Sequence, residues 1–224
     1  MLLAVDTSTR WIGIALYAEN QVLGEMLWQT NTHHSVELAP AIASLLKRCE
    51  VSSDQLKVMA VALGPGSFTS LRIGLALVKG MSLALHVPAI GVPTFDILAA
   101  AQPLMENVTL LTILQAGRGR LAVSRFNVAN AVWQSSGEIK VMSPEDVAAK
   151  IKGPTLVCGE INDSLRQLLA RKRKNVMIAS PAQSLRRPSY LAEIAWRRWE
   201  KNETDDVVSL APIYLHVGDA LPVV

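Results

Sequence analysis

The chain has 224 residues, of which 50% are apolar and 18% charged, with a mean hydropathy of +0.27. This excludes a disordered chain and supplies core for one large domain or two small ones. The formal net charge of +3 excludes a polybasic or strongly acidic protein.

The basic excess lies late in the chain, in the run 171–174 and the doublets Arg186, Arg187 and Arg197, Arg198. A solvated face explains it most simply, and a nucleic-acid neighbour is the alternative. Cys49 and Cys158 lie far apart with no metal-ligand neighbour at useful spacing, and read as reduced structural thiols. The first residues carry no basic segment, and Asp6 interrupts their apolar run. No uninterrupted apolar stretch approaches the roughly 20 residues of a membrane span, so a cytoplasmic protein without membrane attachment is expected.

Residues 2–5 form a short buried strand ending at Asp6; 11–17 and 22–29 form two more, joined by a turn at 19–21 as an antiparallel hairpin. A helix is predicted over 36–49, where Leu38, Ile42, Leu45, Leu46 and Cys49 recur at steps of three and four. A buried strand at 58–63 runs into the break Gly64-Pro65-Gly66-Ser67, and a second helix follows over 70–86. A strand at 89–92 leads into a helix from 93 to 101, with Thr94 as its cap.

The second half repeats this order. Strands are predicted at 109–114, at 121–126 and within 132–141, with a turn at 116–119. A helix over 145–151 starts behind Ser143 and Pro144. A strand at 156–158, a helix over 162–171, a strand at 176–179 and a last helix over 188–201 complete the chain. Strand and helix alternating after a meander imply a mixed sheet covered by helices. Two such halves in tandem indicate the duplicated actin-like (ASKHA) α/β architecture. The lobes are predicted at 1–102 and 103–224, with the last helix able to pack back on the N-terminal lobe.

The helix over 70–86 is the most informative segment. Between Leu71 and Leu85 only Arg72, Lys79 and Ser82 are polar, whereas a helix on a sheet needs one apolar stripe. Gly74, Ala76, Gly80 and Ala84 permit close approach of another helix. Either the helix is central within its own chain, or it docks on a partner together with the helix over 36–49; composition does not choose between them.

The loop Gly64-Pro65-Gly66-Ser67-Phe68-Thr69-Ser70 joins a buried strand to that helix. Its Gly64, Gly66, Ser67 and Thr69, with Asp6 at the end of the first strand, can be read as an anion or nucleotide loop at a helix N-terminus. The alternative is a tight turn with Ser67 or Thr69 as cap. No Gly-Lys-Ser/Thr follows, so it is not a Walker loop.

The stretch Gly64-Pro65-Gly66-Ser67-Phe68-Thr69-Ser70-Leu71-Arg72-Ile73-Gly74 resembles the Gly-Pro-Gly-Ser-Phe-Thr-Gly-Leu-Arg-Ile-Gly hallmark of the TsaB (YeaZ) family. Residues 4–9, His34-Ser35-Val36-Glu37-Leu38-Ala39-Pro40-Ala41-Ile42 and Ala211-Pro212-Ile213-Tyr214-Leu215 are similar to further segments of that family, in the same order. The resemblance implies an actin-like fold and a non-catalytic, cofactor-free subunit of the bacterial machinery that installs threonylcarbamoyl on the adenosine beside the anticodon of tRNAs reading ANN codons. It implies a heterodimer with a TsaD-like catalytic subunit and a TsaE-like ATPase subunit joining that pair; since related subunits offer similar surfaces and exposed apolar helices seek cover, a homodimer is expected when the chain is isolated, with tRNA contact mainly through the complex. The interface it implies lies on the first two helices: Leu38, Ile42 and Leu45 on one; Arg72, Ile73, Gly74, Ala76 and Leu77 on the other, continuing through Gly80, Met81 and Ala84. Ser70, Gln115-Ala116-Gly117 and His216 depart from the family pattern.

An enzyme is the rival reading, either an actin-like nucleotide hydrolase or a peptidase-like hydrolase. Asp6 is placed where such ATPases hold an acid, but the matching second-half strand ends at Gln115. His33 and His34 are adjacent and diverge on a helix, so no metal site is assigned, and no base can be paired with Ser67 or Thr69 as a nucleophile, so no catalytic residue is assigned. Asp6 as the cap of a turn through Thr7, Ser8 or Thr9 is the simpler reading.

Overall fold

The computed structural model describes residues 1–31, 33–171 and 174–215. Lys172, Arg173 and His216, which figured in the sequence reading, lie outside these. The described chain divides into two compact units, Met1–Ile97 with Arg186–Ile213, and Leu98–Leu185 with Tyr214 and Leu215.

In the first unit β1 (Leu2–Asp6) is antiparallel to β2 (Trp11–Ala18), which carries β3 (Gln21–Gln29) at the sheet edge. Helix α1 (His34–Arg48) leads to β4 (Val58–Gly64), parallel to β1; helix α2 (Phe68–Leu85) then leads to β5 (Ala89–Pro93), parallel to β4. The strand order is β3-β2-β1-β4-β5. Both faces of this sheet are covered, so β1 is apolar without alternation. Its pleat still divides the core. Leu3 and Val5, with Ile12, Ile14, Met59 and Val61, face the side of α1 and α2, where Leu38, Ile42, Leu45, Leu75 and Val78 meet them. Each fully buried aliphatic side chain there contributes about 1.5–3 kcal/mol.

Helix α2 starts at Phe68, earlier than the sequence reading, because Ser67 is its cap: Ser67 Oγ accepts from Ser70 N at 3.5 Å. It ends where His86 adopts a left-handed backbone, φ 55°, whose N–H bonds to Ser82 O. By length and composition α2 is apolar enough to cross a bilayer, and 33% of its residues are buried. Its buried side is seated on the sheet through Leu71, Leu75 and Val78.

Helix α3 (Thr94–Ala100) contains the boundary between the units. The second sheet comprises β6 (Thr109–Gln115), β7 (Leu121–Ala129), β8 (Val132–Ser135), β9 (Lys140–Met142), β10 (Thr155–Gly159) and β11 (Val176–Ile178). Its order is β11-β10-β6-β7-β8, with β9 paired to β7. Gly137, at φ +110°, separates β8 from β9, where one strand was expected. Helices α4 (Pro144–Lys150) and α5 (Asp163–Ala170) begin behind the side-chain caps Ser143 and Asn162. Cys158 is enclosed in β10, and burial pushes its thiol up to about 12, which leaves it unreactive.

Helix α6 (Pro188–Glu200) returns to the first unit, where Leu191, Ala192, Ala195 and Trp196 cover Leu2, Ala4 and Ala60 on the sheet face opposite α1 and α2. The last helix thus packs back on the first unit, as the sequence allowed, and the units part between Ile97 and Leu98, a few residues before the expected 102/103.

Candidate functional site

Segment 6–9, at the end of β1, ties four parts of the first unit together. Asp6 Oδ1 accepts from Ser8 N at 2.7 Å and Ser8 Oγ at 2.6 Å, and Asp6 Oδ2 accepts from Arg186 Nε at 3.0 Å. Arg186 Nη2 donates to Thr9 Oγ1. Thr94 Oγ1 donates to Ser8 Oγ at 2.9 Å, and Thr7 Oγ1 to Ser70 O at 2.7 Å. His34 Nε2 lies 2.8 Å from Thr9 O, so it carries the proton that the carbonyl accepts. The starts of α1, α2 and α3 and the entry to α6 are thus fixed on one turn.

The glycine loop closes onto the same turn. Ser67 N donates to Ser8 O at 2.7 Å, and a Cβ on Gly66 would lie 2.0 Å from that carbonyl oxygen. Gly64 has φ +104°, which favours glycine. Ser70 Oγ donates to Ser67 Oγ at 2.9 Å, so the serine that departs from the family hallmark reinforces the cap. Asp6 is corrected as a nucleotide contact: it is 2% exposed, and both its oxygens hold protein donors. Gly64 is buried, whereas Gly66, Ser67 and Thr69 reach the surface.

The outer side of α1 and α2 is apolar and open. On α2, Phe68 is 56% and Leu83 61% exposed; on α1, Val36 is 68% exposed. Arg72, Ala76, Gly80 and Ala84 are exposed beside them, and Ile73, Leu77 and Met81 are half-buried. The Arg72 guanidinium lies 5.1 Å from the Phe68 ring centroid, a cation–π contact. Among the described residues, a Cβ on Gly80 would meet nothing within 4 Å.

Four of the expected interface residues are not on that surface. Leu38, Ile42 and Leu45 are at most 4% exposed, because the α1 stripe is its own core face. Gly74 is buried too: a Cβ there would lie 2.3 Å from Thr7 Oγ1, so its smallness serves the approach of α2 to β1. Sequence reasoning missed Phe68 and Leu83, which the apolar composition of α2 already offered, and Val36 on α1. It also missed Arg186, whose partner is remote in sequence.

His33 is exposed, 3.9 Å from Glu37, whereas His34 is buried against Thr9 O. Among the described residues no group of three or more His, Cys, Asp or Glu is placed to hold a metal ion. In the second unit Gln115 N donates to Glu160 Oε2 at 2.9 Å and Gln115 Nε2 to Glu160 O at 3.0 Å. The side chain at that strand end is therefore engaged with its neighbour.

Residues 27–185 match the sequence model of the family described as TsaD: tRNA N6-adenosine threonylcarbamoyltransferase. The tRNA threonylcarbamoyladenosine biosynthesis protein TsaB of Bacillus subtilis is 30% identical over 227 residues, spanning 98% of this chain and 95% of that protein. Among solved structures, YeaZ from Pseudomonas aeruginosa superposes with a TM-score of 0.78 at 23% identity, over 96% of this chain and 99% of that one. A ROK hexokinase from Thermus thermophilus superposes with a TM-score of 0.50 at 10% identity, over 88% and 99%. The fold is the duplicated actin-like α/β fold, two mixed sheets flanked by helices.

Proposed function

Because the chain belongs to the TsaB (YeaZ) family, within the wider family whose model is TsaD, we propose that it serves tRNA threonylcarbamoyladenosine biosynthesis as a non-catalytic subunit that docks on a TsaD-like catalytic partner. The observation that carries this reading is the open apolar side of α1 and α2, with Phe68, Ala76, Gly80 and Leu83 on α2. Monomeric proteins seldom leave such a contiguous patch uncovered. Gly80 adds to it. A mid-helix glycine costs about 1 kcal/mol relative to alanine, and none of the described residues approaches it, so its smallness suits an outside surface.

The TsaD match over 27–185 supports a related partner, since related lobes present related faces. The same face holds a second copy when the chain is alone, whereas it is the heterodimer with the TsaD-like subunit that recruits a TsaE-like ATPase and tRNA. A non-catalytic role is supported by Asp6, whose oxygens are taken by Ser8 and Arg186 instead of facing a metal-bound nucleotide. Reconstitution tests the proposal: tRNA modification by the TsaD-like subunit, with its synthase and ATPase partners, is expected to require this chain. Full modification in its absence would overturn the reading, as would modification by this chain alone.

A further inference from the structure

The second unit carries an open cleft of about 210 Å3 beside β7, β9 and α4. Its floor is Leu111, Val123, Met142 and Val147; Arg125, Lys140, Lys150 and Glu138 also line it. Strand register explains how cations come to line an apolar floor. Leu111 is paired with Arg125 and Val123 with Lys140 across antiparallel ladders, and directly opposed residues share a face. Arg125 stands two residues beyond Val123, which the strand period puts on that face too. It is the face on which Leu111, Leu121 and Val123 pack with Val147 and Leu165. A helix-covered sheet face is ordinarily apolar, yet this one runs out into two cations. Lys150, one turn beyond Val147 on α4, brings a third.

Among the described residues none of these three cations forms an ion pair. With Glu138 as the one carboxylate among the described lining residues, three positive charges less one negative leave +2. Like charges around one cleft repel, and a bound anion relieves that.

We infer that this cleft binds a phosphate monoester carried on an organic body, with a nucleoside 5′-monophosphate as the simplest ligand of that class. A monoester carries about −1.5 to −2 at neutral pH, which matches the lining. Arg125 offers the planar fork that grips two phosphate oxygens, and the lysines add point charges. The aliphatic floor of Leu111, Val123 and Met142 takes the nucleoside. A single-stranded RNA fits less well: each diester brings one charge, and among the described residues no aromatic ring lines the cleft for bases to stack on. The inference rests on the second unit alone and is independent of what covers α1 and α2.

Calorimetric titration of the full chain, with amide NMR shifts followed at Val123, Ser136, Gly137 and Met142, tests it with four probes: AMP, inorganic phosphate, adenosine and a short RNA lacking terminal phosphates. AMP is expected to shift those amides and to bind about tenfold or more tightly than inorganic phosphate or adenosine, since each lacks one half of the recognition. The exposed double substitution Arg125→Gln with Lys140→Gln is expected to weaken AMP at least about tenfold while leaving the ligand-free melting temperature in place. Lys150→Gln is expected to weaken it less. Absence of a saturable shift at millimolar AMP would overturn the inference. So would undiminished binding by the double variant, inorganic phosphate binding as tightly as AMP, or the RNA binding more tightly.

Discussion

Arg186 Nε sits 3.0 Å from Asp6 Oδ2, joining side chains 180 residues apart that are 4% and 3% exposed. The pair brings the entry of α6 to the end of β1, where the starts of α1, α2 and α3 are also held. Buried pairs of this kind contribute little net stability against a well-packed apolar substitute, but removing one partner strands the other charge. Arg186→Met should therefore lower unfolding free energy by about 3–5 kcal/mol in urea titrations, and adding Asp6→Asn should recover a substantial part. A loss below about 1 kcal/mol would show that the pair does not hold the junction.

Gly80 separates the stability of the chain from its assembly. None of the described residues lies within 4 Å of a Cβ at this position. Gly80→Ala should thus raise the unfolding free energy of the isolated chain by about 0.5–1 kcal/mol through helix propensity. The same methyl should weaken association wherever another helix approaches α2 closely. Thermal melts and sedimentation at matched concentrations measure the two effects, and stabilisation without weaker association would place Gly80 outside the contact.

Asp96, on α3, supplies a pH dependence. Burial raises its carboxyl to about 6. The folded state therefore holds this proton more tightly than the unfolded chain, and stability falls as pH rises from about 4 to 6. Above that window the penalty is constant. Asp96→Asn should stabilise the chain by about 1–3 kcal/mol at pH 7.5 and by little at pH 3.5, measured by denaturant unfolding at both.

The sheets were readable because β1, β4 and β6 are short apolar runs bounded by polar or glycine breaks, and the hairpin of β2 and β3 has a recognisable turn. The start of α2 was displaced because Ser67, Thr69 and Ser70 are all competent caps, and only the hydrogen bond from Ser70 N to Ser67 Oγ selects Ser67. At the site, the apolar nature of α2 announced an unusual helix, but composition does not orient it. Gly74 and Gly80 look alike in sequence; one is pressed against Thr7 and the other faces open space. The stripe Leu38, Ile42, Leu45 carried the ordinary signature of a core face, and assigning it to an interface set that signature aside. The Asp6–Arg186 pair has no local mark at all, because nothing near either residue specifies a partner 180 positions away.

Ala76 is exposed midway along α2, among Arg72, Ile73 and Gly80, where a longer side chain leaves the chain's own core untouched. The affinity of the TsaD-like subunit for the Ala76→Glu chain, measured by calorimetry beside the unsubstituted chain, addresses the docking face directly. A carboxylate forced into an apolar contact should weaken the complex at least about thirtyfold, with the melting temperature of the isolated chain unchanged. Equal affinity of the two chains would contradict docking through α2.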